Sequence, residues 1–268
     1  MDLRRLWKRA RRIWITLGVS ATIIFVTWSL IAYRASSEAR QAAESDSVVF
    51  VDHSMGVWSF SGKQLAVTPP TVLVFFPGAL VDPRAYAPLA RAAALGGFRA
   101  FIIELPRRGA FGGADDPVLD SSIESVLRRH DPATNIVIAG HSRGAVVASR
   151  IASRAASRLA GLILIGTSHP RDVDLSGLSM PVVKIVGTHD GLASRGEVEE
   201  NAAKLPATTR WIWVEGGNHS QFGWYGFQPG DWPAAIEPSV QRQVMIDAVL
   251  EMLRQVTTTA EAGSRRAS

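Results

Sequence analysis

The segment NIVIAGHSRGAVVASRIA, residues 135–152, constrains the fold most strongly. It begins with an apolar run of strand length, passes through the turn sequence GHSRG (140–144) and continues into small residues with helical periodicity. A buried strand that turns at once into a helix is typical of a parallel sheet covered by helices. Glycine two residues to either side of Ser142 removes side chains that would collide in so tight a turn. We therefore expect Ser142 to project above the sheet.

The rest of the chain after residue 47 repeats this alternation of strands and helices. Strands are predicted at Val48–Val51, Thr71–Phe76, Phe98–Leu105, Asn135–Ala139, Gly161–Ile165, Val182–Val186 and Trp211–Val214. Helices are predicted at Pro83–Leu95, Val118–His130, Arg143–Arg158, Arg195–Lys204 and Ser239–Val256. The sequence therefore predicts an α/β protein with a mainly parallel, doubly wound sheet. The short interval between Ile165 and Val182 leaves no room for a large cap domain.

Composition and charge exclude several classes of function. The chain of 268 residues has no cysteine, which excludes disulfides, a thiolate nucleophile and cysteine-ligated metals. Residues 1–12 carry six basic groups and one acidic one, so this arm accounts for the whole net charge of +5. The remaining chain is neutral and has no electrostatic footprint for phosphate, so we expect no nucleic-acid partner.

A run without charge from Ile13 to Tyr33 follows the basic arm. As a helix it would be roughly 32 Å long, enough to cross a hydrocarbon core of about 30 Å. Trp14 lies near one end, and Trp28 and Tyr33 lie near the other, as expected for membrane interfaces. The alternatives are a cleaved signal peptide, which usually has a shorter apolar region, and a buried core helix.

The basic residues predict how such an anchor is oriented. Six precede the run and only Arg34 and Arg40 follow it closely, so the N-terminus should be cytoplasmic and the remainder extracytoplasmic. We expect a basic arm at 1–12, a transmembrane anchor at 13–33, a stalk or helical extension at 34–47, the α/β domain at 48–256 and a disordered tail at 257–268.

A serine nucleophile needs an imidazole base and a carboxylate partner. Where the serine lies on a strand-to-helix turn of the G-x-S-x-G type, the order of the three residues along the chain is serine, then acid, then histidine. His219 follows the last predicted strand and is the expected base. His169 and His189 follow earlier strands and are possible, His53 and His130 precede the serine, and His141 adjoins it. Asp190 follows the strand at 182–186 and is the expected acid. Asp172 and Asp174 are rival candidates. Glu215 is not favoured, because it is too close to His219 in sequence.

An oxyanion needs two backbone donors, one of which is the N–H of Arg143, the residue after the serine. The other should come from the loop FPGALV at residues 76–81, where we choose Ala79.

The stretches FFPGALVDPRAYAPLAR, IAGHSRGAVVAS, VGTHDGLAS and EGGNHSQFGWYGFQPGD carry a family resemblance. With them the chain resembles the small α/β-hydrolases often called α/β-hydrolase family 5. The resemblance implies the α/β-hydrolase fold and a serine hydrolase mechanism with Ser142, Asp190 and His219 as the triad. Relatives usually have a second glycine at Ala79 and an apolar residue at Arg143. At Arg143 this difference either places a guanidinium near the leaving group or leaves the side chain solvated on the helix surface.

No motif for a metal, nucleotide or other cofactor is present in the sequence, so we expect none. An aromatic cluster follows His219 and could wall an acyl pocket, cover the sheet end or touch the membrane; its members are Phe222, Trp224, Tyr225, Phe227 and Trp232. The sequence predicts a membrane-anchored serine hydrolase of carboxylic esters or thioesters, lipid esters included. The alternative is a catalytically idle hydrolase fold that serves as a tethered binding module. The natural substrate, the acyl-chain preference, the oligomeric state and cleavage of the anchor stay open.

Overall fold

One sheet organises the domain. The computed structural model describes residues 3–63, 71–110, 112–128 and 134–267. Eight strands lie in the order β1-β2-β4-β3-β5-β6-β7-β8. They are β1 (Val49–Ser54), β2 (Val57–Gly62), β3 (Thr71–Phe76), β4 (Arg99–Ile103), β5 (Asn135–His141), β6 (Gly161–Ile165), β7 (Val182–Gly187) and β8 (Arg210–Val214). Strand β2 is antiparallel to β1 and β4, and the other neighbouring pairs are parallel. The predicted fold class is confirmed.

Helices cover both faces of the sheet. The described residues form α1 (Leu3–Ala32), α2 (Ser37–Ala42), α3 (Ala87–Leu95), α4 (Pro117–Arg128), α5 (Arg143–Ala155), α6 (Arg195–Glu200) and α7 (Pro238–Ala267). Alternate residues of β3 face opposite layers, because successive side chains of a strand point to opposite sides. Leu73 and Phe75 pack with α2, α3 and α7, whereas Val72 and Val74 pack with α4 and α5.

The edge of the sheet differs from the prediction. The strand predicted at Val48–Val51 is the first half of a hairpin, and its partner β2 was not predicted. The turn is made by Met55 and Gly56, both with positive φ. Between β6 and β7, residues 166–181 form turns and bends without a helix, so no helical cap is inserted there.

The segment expected as a stalk or helical extension, residues 34–47, contains helix α2 and packs on the domain. Ala35, Ala39 and Ala43 are buried in the same core cluster as α3 and α7. The side chain of Ser36 caps α2 by accepting from Ala39 N at 3.2 Å. Of the three alanines only Ala39 lies within α2, and their small side chains allow the close packing that composition alone did not indicate.

The end of the chain also differs from the expected disordered tail at 257–268. Helix α7 continues as far as Ala267. Thr257 Oγ1 is hydrogen-bonded to Thr71 Oγ1 at 2.7 Å, which ties this part of the helix to the start of β3.

A lysine lies inside the sheet layer. Lys184 of β7 is buried, and its Nζ donates to the carbonyl oxygen of His169 in the loop after β6. Burial lowers the pKa of Lys184 to about 7, and the nearby Asp190 carboxylate opposes this shift.

Lys184→Met should make the free energy of unfolding less dependent on pH. Between about pH 7 and 10.5 the folded protein has lost the Lys184 proton and the unfolded chain has kept it, so stability rises with pH in that window. Denaturant titrations should therefore show the wild type gaining stability relative to the variant as pH rises. The exposed Lys63→Met controls for the change in net charge, and a stability difference that is independent of pH would contradict the lowered pKa of Lys184.

Candidate active site

The turn between β5 and α5 holds Ser142 in a strained conformation. Its φ of 53° and ψ of −118° lie in a region that non-glycine residues rarely adopt. The N–H of Ser142 donates to the carbonyl oxygen of Ile165 at 2.9 Å, which fixes the turn to the end of β6. Ser142 is half-buried at the carboxyl edge of the sheet.

The two flanking glycines permit this turn. A Cβ on Gly140 would lie 2.3 Å from the carbonyl carbon of Gly144, and a Cβ on Gly144 would lie 1.9 Å from the carbonyl oxygen of Phe76. Both distances are far below van der Waals contact. The helix therefore starts directly against β3 and β5, as the sequence predicted for a nucleophile elbow.

Asp190 and His219 are brought together from two different loops. Asp190 follows β7 and His219 follows β8, and Asp190 Oδ2 lies 2.9 Å from His219 Nδ1. Both side chains are buried. The second carboxylate oxygen accepts from the N–H groups of Leu192 and Ala193 at 2.9 and 2.7 Å. These two bonds orient the carboxylate so that Oδ2 is directed to the imidazole.

The other ring nitrogen of His219 is left without a partner. Nδ1–H donates to the carboxylate, so Nε2 carries the lone pair of the neutral ring. Within the described ranges, Nε2 is buried and has no hydrogen-bond partner, and Ser142 makes no hydrogen bond to it. Proton-transfer contacts are often long in a free enzyme and shorten when substrate binds.

The loop after β3 supplies unused backbone donors. Gly78 N donates to Tyr86 Oη at 3.2 Å and Leu80 N donates to the carbonyl oxygen of Arg108 at 2.7 Å. Among the described residues, the N–H groups of Ala79 and Arg143 have no protein acceptor. These are the two donors that the sequence predicted for an oxyanion.

Comparisons with known proteins identify the family. The sequence model of the alpha/beta hydrolase family matches residues 72–243, which is more than half of the chain. The chain belongs to the alpha/beta hydrolase family. A comparison with curated proteins gives no match.

Solved structures agree in fold. Protein TT1662 of Thermus thermophilus has a TM-score of 0.57 at 16% identity, over 78% of this chain and 98% of its own. Est1E of Butyrivibrio proteoclasticus with bound ferulic acid has a TM-score of 0.56 at 10% identity, over 77% of this chain and 96% of its own. A soluble variant of monoglyceride lipase from Saccharomyces cerevisiae, solved with a substrate analogue, has a TM-score of 0.55 at 11% identity, over 79% of this chain and 96% of its own. At these identities the likeness shows the fold alone.

The buried Asp231 holds the His219 loop of this hydrolase in place. Its Oδ1 accepts from His219 N at 3.2 Å, and its Oδ2 accepts from the N–H and hydroxyl of Ser220 at 2.8 and 2.7 Å. Sequence reasoning did not find this residue. The local sequence shows only an aspartate between Gly230 and Trp232. That pattern does not indicate that its hydrogen-bond partner lies twelve residues earlier in the chain.

His141 connects the loops around the site. Tyr86 Oη accepts from Gly78 N at 3.2 Å and is hydrogen-bonded to His141 Nδ1 at 2.7 Å. Burial, followed by the nearby His219, lowers the pKa of His141 well below its usual value, which keeps the ring neutral. Its ring centroid lies 4.6 Å from that of His219 and 5.7 Å from that of Phe222. His141 thus packs between the Ala79 loop and the His219 loop.

The competing aspartates do not meet His219 in the structure. Asp172 forms an ion pair with Arg150 at 2.7 Å, and its Oδ1 lies 3.3 Å from His169 Nδ1. Asp174 is exposed and accepts from Ser176 N.

The other histidines are engaged elsewhere. His53 stacks on Trp58 at 4.1 Å, and His189 Nδ1 lies 3.3 Å from the carbonyl oxygen of Pro233. His130 lies outside the described residues.

Arg143 is half-buried beside the serine. Its Cγ packs 3.4 Å from the position that a Cβ on Gly109 would occupy. In the part of the chain that the structure describes, its guanidinium has no hydrogen bond or ion pair. The same part contains no group of three His, Cys, Asp or Glu residues that could hold a metal ion.

The aromatic cluster after His219 divides into two parts. Phe222, Trp224 and Tyr225 are buried in the core, whereas Phe227 and Trp232 are exposed. The buried three belong to the core cluster that also contains Tyr33 and residues of α3 and α7.

Gly144→Ala should prevent the elbow from forming, because the new Cβ would overlap the Phe76 carbonyl. We expect a fall in the free energy of unfolding of more than about 3 kcal/mol, or no folded protein. Gly196→Ala in α6 is the matched control, since nothing lies within 4 Å of its Cβ position. Thermal unfolding of both variants measures the difference, and equal stabilities would contradict the close packing.

Proposed function

We propose that this α/β-hydrolase is a serine hydrolase of carboxylic esters or thioesters, working through Ser142, His219 and Asp190. The observation that carries the proposal is the buried Asp190–His219 hydrogen bond, which leaves Nε2 without a partner. The His219 ring lies 4.6 Å from that of His141, the residue before the strained Ser142. Est1E was solved with ferulic acid, and another neighbour is a monoglyceride lipase. These neighbours support ester chemistry for the chain.

In the first half-reaction, Ser142 Oγ attacks the carbonyl carbon of the ester and its proton passes to His219 Nε2. The Asp190 carboxylate stabilises the imidazolium through Nδ1–H. The negative oxygen of the tetrahedral intermediate accepts hydrogen bonds from the N–H groups of Ala79 and Arg143. His219 then gives its proton to the leaving alcohol or thiol as the bond to the carbonyl carbon breaks.

In the second half-reaction, water replaces the alcohol. His219 takes a proton from water, the resulting hydroxide attacks the acyl carbon, and the bond to Ser142 Oγ breaks as the proton returns to that oxygen. The products are a carboxylic acid and the free enzyme.

We further propose that α1 anchors the hydrolase in a membrane with its N-terminus in the cytoplasm. Arg4–Ser29 is long and apolar enough to span, and only 6% of its most apolar part is buried. A core helix of a soluble protein would be mostly buried. A signal peptide cleaved near Ala35 is disfavoured, because Tyr33 and Ala35 pack in the domain core.

Ester hydrolysis by a matched series of variants tests the chemistry. With p-nitrophenyl acetate, Ser142→Ala should lower kcat by at least about 10³-fold, because the nucleophile is gone. Asp190→Asn should lower kcat by about 10² to 10⁴-fold, because an amide cannot stabilise the imidazolium. Asp172→Asn is the control and should change little, because Asp172 contacts Arg150 and His169 instead.

Two outcomes would contradict the proposal. Full activity of Ser142→Ala would place the nucleophile elsewhere. A folded wild type with no activity on any ester or thioester would favour the idle binding module.

A further inference from the structure

The membrane-spanning helix ends on the catalytic domain without a spacer. Gly226 N donates to the carbonyl oxygen of Ala32, the last residue of α1, at 2.8 Å. Asp82 N donates to the carbonyl oxygen of Tyr33 at 2.9 Å, and Ser36 N donates to that of Trp224 at 2.7 Å. Tyr33 is buried, and its ring meets that of Tyr225 edge-on at 6.0 Å. These bonds fix the direction in which the helix leaves the domain.

The contacted residues belong to the two loops that border the site. Residues 224–226 lie in the loop that begins at His219, and Asp82 follows the loop that carries Ala79. A Cβ on Gly226 would lie 2.7 Å from the Ala32 carbonyl oxygen, so the approach requires glycine. The end of α1 therefore abuts the edge of the sheet at which Ser142 lies.

The rest of α1 projects away from the domain. Trp14 is 79% exposed and Ile24 is 68% exposed, whereas Ser29 in the last turns is 2% exposed. A bilayer that surrounds this helix must begin where the helix leaves the protein, next to the His219 loop. A helix joined by a flexible stalk would leave the distance and orientation of the site free.

Two exposed aromatic residues lie on the same loop. Phe227 is 50% exposed and directly follows Gly226, and Trp232 is 56% exposed. The ring atom Cδ1 of Trp232 lies 2.8 Å from the position that a Cβ on Gly191 would occupy, beside the turn that carries Asp190. Aromatic side chains of this kind are favoured at the interface between lipid and water.

We propose that the bilayer crossed by α1 is the partner of this face and holds the mouth of the site at the lipid surface. Phe227 and Trp232 lie in the interface, and the substrate is an ester of a membrane-resident amphiphile with a long acyl chain. This proposal rests on the proposed serine hydrolase function. The domain has no helical cap between β6 and β7, so a long chain attached to Ser142 would meet water unless the bilayer covers it.

The absence of native cysteine gives a direct test of the surface. In full-length protein reconstituted in vesicles of phosphatidylcholine and phosphatidylglycerol, nitroxide labels are attached to the single-cysteine variants F227C and L95C. Leu95 is the matched control, because it is an exposed apolar residue at the end of α3. It precedes the start of β4 by four positions and so lies toward the amino edge of the parallel strands, opposite the edge that carries Ser142. Electron paramagnetic resonance measures collisions of each label with oxygen, which concentrates in lipid, and with a water-soluble nickel chelate.

The label at 227 should collide more with oxygen and the label at 95 more with the nickel chelate. Preferential collision of the 227 label with the nickel chelate would overturn the membrane-facing mouth. This readout does not depend on activity, so it is independent of the serine hydrolase proposal.

A kinetic measurement tests the substrate class. Turnover is measured on two substrates, a monoacylglycerol dissolved in the vesicles and p-nitrophenyl acetate. The ratio of the first rate to the second is compared between wild type, the double variant F227S/W232S and the control L95S. The double variant should lower this ratio at least about fivefold, because the site is no longer seated in the interface, and the control should keep it.

The enzyme could turn over p-nitrophenyl acetate in a manner that depends on Ser142 and yet fail to turn over the dissolved monoacylglycerol. That result would reject the lipid substrate but would still support the serine hydrolase proposal. An unchanged ratio in the double variant would reject the role of the two aromatic residues.

Discussion

The positive φ of Ser142 depends on how closely α5 approaches the sheet. Because Gly144 contacts the backbone of β3 and Gly140 contacts that of Gly144, the chain must reverse from strand to helix at one residue. The bond from Ser142 N to the Ile165 carbonyl holds that residue in its strained conformation. The remaining parts of the site are arranged around this fixed point. The Ala79 loop, the Asp190 turn and the His219 loop all follow strands that are parallel to β5 in the sheet.

Backbone hydrogen bonds position each loop. Asp190 is held by two N–H groups, the His219 loop by Asp231, and the Ala79 loop by Arg108 and Tyr86. His141 lies between the last two loops and is kept neutral by burial. A second charged imidazole beside His219 would oppose proton uptake at Nε2, so a neutral His141 suits the proposed base.

The buried parallel strands and the pairing of Asp190 with His219 could be predicted from the sequence. Runs such as TVLVFF are apolar throughout because both faces of the strand are covered, and the glycines around Ser142 have a local steric cause. Strand β2 was missed because an edge strand with half-buried, mixed residues lacks such a run. Partners far apart in the chain, such as Tyr86 with His141, leave no local pattern. The packing of residues 34–47 on the domain, and hence the missing stalk, depends on the same long-range contacts.

The proposed reaction requires that Ser142 is an activated nucleophile. Intact-protein and peptide mass spectrometry after treatment with a fluorophosphonate tests it most directly, because such a probe forms a stable bond only with a nucleophile held beside a base. We expect one phosphonyl group per chain on the peptide that contains Ser142, and none in Asp190→Asn after a brief exposure to the probe. A modification on a different residue, or no modification of the folded protein, would contradict it.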